Sequence, residues 1–216
     1  MASKRRSAAD AADPGPRPRA AWGTISRGEV IEAATKMVRA GGYEQMTIRG
    51  LAAELGVAPM SLYRHVRDKD DLLEEVVDRL LARTWKPRVP DPDDWRAWIA
   101  DAAERLRHFL VRQPAALHVY LRRPVGSPTA MARMTAMIEV LRSAGLREDA
   151  ALRAYGTIHT YTIGFAALEA SRARSLPGGT ARSETEQQLA AFTSPAQFRE
   201  GVTYLIEGID RRLSHP

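Results

Sequence analysis

Cysteine is missing from all 216 residues, which removes disulfides and thiolate metal sites and fits a chain made for a reducing, cytoplasmic setting. Long apolar runs are missing too. Arg, Asp or Glu interrupts each of them well before the roughly eighteen residues that a membrane span needs. Residues 1–20 are basic and rich in Pro and Ala, but they hold no apolar stretch of the kind a secretory leader carries, so no leader is expected. Apolar–polar alternation, the mark of a half-buried strand, is found nowhere, and no segment repeats. The motifs of common catalysis are lacking as well: there is no HExxH, no GxSxG and no glycine-rich phosphate loop. Histidines are present (His65, His108, His118, His159, His215), and Asp101 and Glu104 lie one turn apart, as residues of any exposed helix face do. Neither an enzyme nor a metal or cofactor site is expected.

What is present suffices for a packed core. The hydrophobic fraction is 44% and the charged fraction 27%, in a chain long enough for one large domain or two modest ones. The net charge of +6 favours a polyanionic partner without establishing one, since arginine-rich chains carry such a balance for other reasons. Residues 1–21, MASKRRSAADAADPGPRPRAA, lack periodicity and read as a disordered basic arm exposing Lys4, Arg5, Arg6, Arg17 and Arg19. Such an arm is either a plain solvated tail or a source of non-specific phosphate contacts.

Helical periodicity governs the rest, so the fold class is all-α. Ser26 and Glu29 form a capping box ahead of an apolar stripe of Val30, Ala33, Ala34, Met37 and Val38, and Gly41-Gly42 ends that helix. Thr47 caps a second helix that buries Ile48, Leu51, Ala52 and Leu55 and stops at Gly56. A third runs from about Ala58 to Arg64. Asp68 caps a fourth, carried by Leu72, Leu73, Val76, Val77, Leu80 and Leu81 towards Trp85. Pro87, Pro90 and Pro92 then interrupt the pattern over 86–94, which divides the chain into functional regions at 22–85 and 94–216. Further helices are expected at about 94–112, 128–144, 149–173 and 195–213, with a short one near 115–122 and a polar loop over 174–194.

The third helix is the most informative stretch. Gly56 permits a left-handed turn, Val57 fills the space between helices, and Pro59 suits a first helical turn where no N–H is needed. Leu62 and Val66 point inward, leaving Pro59, Met60, Ser61, Tyr63, Arg64 and His65 outside. No acidic residue occurs between Val57 and Arg67, as a surface facing phosphates requires. The DNA major groove, about 12 Å wide, admits one such helix. Arg64 suits bidentate donation to guanine and Pro59 and Met60 suit thymine methyls, while Tyr63, His65 and Lys69 suit phosphates.

These residues carry a resemblance. The run VIEAATKMVRAGGYEQMTIRGLAAELGVAPMSLYRHVRDKDDLL resembles the DNA-binding region of the tetracycline-repressor (TetR) family of bacterial transcription regulators. The resemblance implies a homodimer that places its third helices in successive major grooves of a near-palindromic DNA operator. It also implies phosphate contact from Thr47, base or phosphate contact from Arg49, backbone contacts from Tyr63, His65 and Lys69, and base reading by Pro59, Met60 and Arg64. Repression is the family default, and the runner-up is a DNA-binding regulator without a small-molecule effector, controlled by a protein partner or by abundance.

Further along, IHTYTIGFAALE, FREGVTYLIEGIDRRL and the Arg123-Pro124 pair resemble the C-terminal region of the family's tetracycline-binding subgroup. In that subgroup a histidine that coordinates the drug-bound magnesium stands where this chain has Val119, with His118 one residue earlier, and a second drug-contacting histidine is replaced by Trp85. Magnesium–tetracycline binding is therefore not expected. The effector is instead expected to be small and largely apolar, held by Trp85, Phe109, His118, Tyr120, Arg123, Met134, Met137, His159 and Phe165. Met131, Met134 and Met137, spaced by three, read as one adaptable stripe. Gly201 and Gly208 on the last helix, and Gly156 and Gly164 with Ala166, Ala167 and Ala170 on the one before, imply close backbone approach. A monomeric core uses such features too; the family implication favours dimerisation through helices 149–173 and 195–213. In the mechanism that follows, a ligand against Trp85 shifts the fourth helix and alters the separation of the DNA-binding heads.

Overall fold

A computed structural model describes residues 25–43, 45–85, 90–122, 126–175, 188 and 191–214. The basic arm over 1–21 and most of the polar loop over 174–194 lie outside the described residues, as do 86–89 and Arg123. Among the described residues there are helices and turns and no strand. The helices are α1 (Arg27–Gly41), α2 (Ile48–Leu55), α3 (Pro59–Leu62), α4 (Lys69–Thr84), α5 (Trp95–Arg112), α6 (Pro114–Arg122), α7 (Pro128–Ser143), α8 (Glu148–Ser175) and α9 (Pro195–Ser214).

Local chemistry sets most of the boundaries. The Ser26–Glu29 capping box is complete: the Glu29 N–H donates to Ser26 Oγ at 3.3 Å and the Ser26 N–H to Glu29 Oε2 at 2.7 Å. Thr47 Oγ1 accepts from the Gly50 N–H at 3.0 Å, and Asp68 Oδ1 from the Asp71 N–H at 2.8 Å. Gly56 ends α2 in the left-handed region, φ 66 and ψ 28. Proline shapes 90–94 as anticipated, with a short 3-10 turn at Pro92–Asp94 leading into α5.

The third helix is shorter than its sequence pattern. It spans only Pro59–Leu62, and Tyr63, Arg64 and His65 sit on the turn that follows. That turn still donates back, with the His65 and Val66 N–H groups on the Leu62 carbonyl at 2.9 and 3.1 Å. Helix α8 instead extends a residue or two past the expected 149–173 at each end, within the ordinary spread of boundary assignment.

One buried cluster joins the N-terminal head to the rest. Val30, Ala34, Met46, Leu51 and Leu62 pack with the inward face of α4, and the same cluster continues through Leu106, Leu110, Leu117, Tyr120, Ala130 and Ala166. The proline-rich interruption therefore does not divide the core, because α4 is buried on both sides. A second cluster, around Trp95, Ile99, Leu141, Ile158, Phe198 and Val202, holds α5, α7, α8 and α9 together. Polar bonds tie α4 to its neighbours: Arg122 reaches Asp70 at 2.6 Å, and Asp78 accepts from the Thr129 N–H at 2.9 Å. No helix among the described residues is long and apolar enough to cross a membrane.

Candidate nucleic-acid interface and effector region

The head turns a set of candidate contact side chains outward. Leu62 and Val66 are buried, and that burial turns the residues between and before them to the outside. Met60 is 75% exposed and Tyr63 47%, large values for an apolar and an aromatic side chain. Thr47, Arg49, Pro59 and Arg64 are exposed beside them, whereas Ser61, His65 and Lys69 are half-buried. Arg49 and Arg64 form no ion pair among the described residues.

The surface is braced from behind. Arg27 Nε donates to the His65 carbonyl at 3.0 Å, and its Nη1 lies 3.0 Å from Glu75 on α4. Arg67 is engaged with Asp71, through its N–H and its guanidinium at 3.0 Å each, and the backbone donor foremost holds the Asp71 carboxyl below the usual carboxylate range. The Lys69 ammonium sits 4.5 Å over the centre of the Tyr43 ring, a cation–π contact that holds this half-buried side chain at the start of α4. The nine residues that the sequence assigns to DNA contact lie on α2 and its N-cap, on α3 and the turn after it, and at the start of α4, each exposed or half-buried.

The residues assigned to the effector do not all meet. Trp85 caps the C-terminus of α4 and meets Trp98 edge to face at 5.4 Å. Tyr120 and His159 lie 6.2 Å apart, and the His159 ring stacks on Tyr155 at 5.0 Å. Phe109 and Met137 are buried in different core clusters, with Met134 packed against the cluster of Met137. Phe165 belongs to a separate aromatic group with Tyr161 and Phe198, at 5.7 and 5.2 Å. His118 is exposed on α6, two residues from the buried Tyr120, so it does not share the interior with the others. The methionines do not form one stripe: Met131 is exposed, Met134 half-buried and Met137 buried. A step of three residues turns a helix by about 300°, so each methionine falls back around the axis.

Two interior residues escaped the sequence reading. Arg133 lies on α7 at the spacing of the apolar residues Ala130, Met137 and Leu141, and it is buried. Its guanidinium rests 4.3 Å from the centre of the Trp85 ring, and its Nη2 donates to the Ala102 carbonyl at 3.1 Å. Burial pushes its pKa down, and Arg105 adds to that. Tyr155, one turn before His159, has its hydroxyl pushed up to about 12 by burial, against the pull of Arg133. A charged residue on an apolar stripe was the available signal for Arg133; Tyr155 offered none beyond helical spacing to His159. Next to this group, a cleft of about 120 Å³, partly open to solvent, runs between α4 and the α6–α7 junction. Asp71, Glu74, Glu75 and Asp78 line one side, and Val119, Tyr120, Ser127 and Ala130 the other.

Comparison with known proteins accounts for both halves of the chain. Residues 30–76 match the family of bacterial regulatory proteins of the tetR type, and 87–213 match the tetracyclin repressor-like C-terminal domain. The transposon 1721 class A tetracycline repressor of Escherichia coli is 30% identical over 197 residues, covering 85% of this chain and 89% of that one. The transcriptional repressor DrrR1 of Streptomyces coeruleorubidus is 34% identical over 152 residues, 70% of this chain; the match spans about half, 54%, of that longer relative. Among solved structures, BioQ with its natural double-stranded DNA operator is 27% identical, with a TM-score of 0.64 over 86% of this chain and 98% of that one.

Proposed function

The chain belongs to the tetracycline-repressor family of transcriptional regulators, which are DNA-binding proteins and not enzymes, and from that premise we propose that it is a homodimeric repressor, cytoplasmic, released from its operator by a small ligand. The observation that carries the DNA half is the braced outward face of α3 and its turn, where Met60 and Tyr63 stay exposed with Arg64 beside them. In this reading Pro59, Met60 and Arg64 read base edges, and Thr47, Arg49, Ser61, Tyr63, His65 and Lys69 hold the phosphates. The family relative bound to its operator supports the reading.

Dimerisation is proposed through α8 and α9. Leu152 and Leu168 on α8 and Tyr204 on α9 are more than half exposed. Gly156 and Gly164 fall between those leucines at helical spacing, and Gly208 lies one turn after Tyr204, with open space where a Cβ would be. Small residues bracketed by large apolar ones let helices approach closely, as a bundle between two copies requires.

The test uses an operator recovered by footprinting bound genomic DNA. Arg64→Ala is expected to weaken operator affinity by about 1–3 kcal/mol and relax its sequence preference, and Tyr63→Ala to weaken it evenly across sequences. Unchanged affinity in both variants sinks the assignment. A ligand that raises the melting temperature yet leaves operator affinity unaltered sinks the ligand-controlled half.

A further inference from the structure

The protein treats two buried arginines in opposite ways. Arg107, 5% exposed, is clasped by Glu104 at 3.1 and 2.7 Å and by Glu169 at 2.6 Å. Arg133, 4% exposed, has the Ala102 carbonyl and the face of Trp85, but no carboxylate among the described residues, and its Nη1 has no acceptor. The acids of the adjacent cleft are engaged elsewhere: Asp71 and Glu75 face Arg27 at 4.0 and 3.0 Å, and Asp78 accepts from Thr129. A guanidinium does not shed its proton in a protein, so the charge stays inside. An uncompensated buried charge is costly, and an unpaired buried donor calls for a partner that completes it.

The surroundings point to the nature of that partner. Among the described residues, Trp85 Nε1 and the Tyr155 hydroxyl are also buried without a hydrogen-bond partner. With Arg133 Nη1 they make a set of donors facing no acceptor, next to the stacked rings of Tyr155 and His159 and to Tyr120, which is also a wall of the cleft. A carboxylate takes a guanidinium fork through both oxygens and has lone pairs left for neighbouring N–H and O–H groups. Flat rings pack on aromatic side chains in stacked or tilted contact.

We propose that Arg133, with Trp85 and Tyr155, anchors the effector, and that the effector class is a flat aromatic carboxylate. The inference rests on the ligand-controlled reading above and sharpens it, since a largely apolar molecule then needs one anionic end. Trp85 caps α4, so the anchor lies at the far end of the helix that starts beside the DNA-binding turn.

Calorimetric titration of the full chain with benzoate, 2-naphthoate and 9-anthroate, each beside its primary amide, tests this. At least one carboxylate is expected to bind more than tenfold tighter than its amide and to raise the melting temperature. Arg133→Met, close in volume and free of the unpaired charge, is expected to melt no lower than the native chain and to lose that carboxylate by about 30-fold or more. Tyr155→Phe, which removes only the hydroxyl, weakens it less. The proposal is overturned if no carboxylate binds, if acid and amide bind alike, or if Arg133→Met binds as tightly as the native chain. Fluorescence anisotropy on the footprinted operator separates the two readings. A carboxylate that binds through Arg133 without altering operator affinity leaves the anchor standing and sinks ligand control; a neutral compound that releases DNA from the Arg133→Met chain sinks the anchor and keeps ligand control.

Discussion

Two glycine-to-alanine substitutions on α9 should have opposite effects. At Gly201 a Cβ would lie 2.0 Å from the Tyr161 hydroxyl oxygen and 2.5 Å from its Cζ. The ring has little freedom to yield, because it is stacked on Phe198 at 5.5 Å and tilted against Phe165 at 5.7 Å. Overpacking of this kind costs about 1–3 kcal/mol, against which alanine gains about 1 kcal/mol in helix propensity. Gly201→Ala is therefore destabilising by up to about 2 kcal/mol, which for a chain of this size lowers the melting temperature by up to about 4–8 °C. At Gly208 nothing lies within 4 Å, so within one chain only the propensity gain of about 1 kcal/mol remains. If α9 packs against a second copy, that same methyl weakens association. Urea unfolding at two protein concentrations, with sedimentation equilibrium, reads both effects. Tyr161→Leu combined with Gly201→Ala should recover part of the loss. The reasoning is refuted if Gly201→Ala gains the full propensity term. The dimer surface is refuted if Gly208→Ala leaves the dimer dissociation constant where it was.

Three other outcomes follow from the geometry. Arg27→Ala removes the bond to the His65 carbonyl and the contact with Glu75, and it should cost about 1 kcal/mol of order in the recognition turn, roughly fivefold in affinity per half-site, measured by anisotropy with little change in melting temperature. Gly56→Ala forces a Cβ into the left-handed region at φ 66 and should cost about 1–2 kcal/mol, seen as lower melting temperature and weaker operator binding together. Tyr155, with its hydroxyl raised from 10.0 to about 12, keeps its proton in the fold where the unfolded chain has lost it, so its contribution is full below pH 10 and falls away between pH 10 and 12; urea midpoints across that range should drop less steeply in Tyr155→Phe.

The head was legible because its signals are local and redundant. Ser26 with Glu29, Thr47, Gly56, Pro59 and Asp68 each mark a boundary, and Leu62 with Val66 define which side of the short third helix is buried. The interior of the second region was not, because its grouping depends on helix crossings that spacing within one helix does not encode. Trp85, Tyr120 and His159 come from α4, α6 and α8, and nothing along the chain said that Arg133 of α7 would join them while Phe165, six residues past His159, would not. The methionine spacing was read as a stripe although a period of three drifts around the helix. Gly201 was read with Gly208 as one small-residue surface, yet only Gly208 is open; Gly201 is occupied from within by Tyr161.

Helix α4 determines what form any control by a ligand must take. Its 16 residues span about 24 Å at 1.5 Å per residue. At its start Asp71 holds Arg67, and Glu75 and Asp71 face the Arg27 that clamps the recognition turn; at its end Trp85 meets Trp98 and Arg133. The buried cluster runs without a break from α1 and α2 into α4, so the head has no internal joint at which α3 can turn by itself. In the reading proposed above, a ligand seated against Trp85 acts by tilting α4 and the head as one body. A displacement of about 1 Å at the end of such a helix is a rotation of only 2–3°, yet in a dimer it changes the spacing of two heads that must match half-sites about 34–36 Å apart. Hydrogen exchange at the Leu62–Val66 turn should accordingly stay the same with and without a ligand that releases DNA, while exchange near Trp85 slows; a turn that loosens on binding would place the switch inside the head instead.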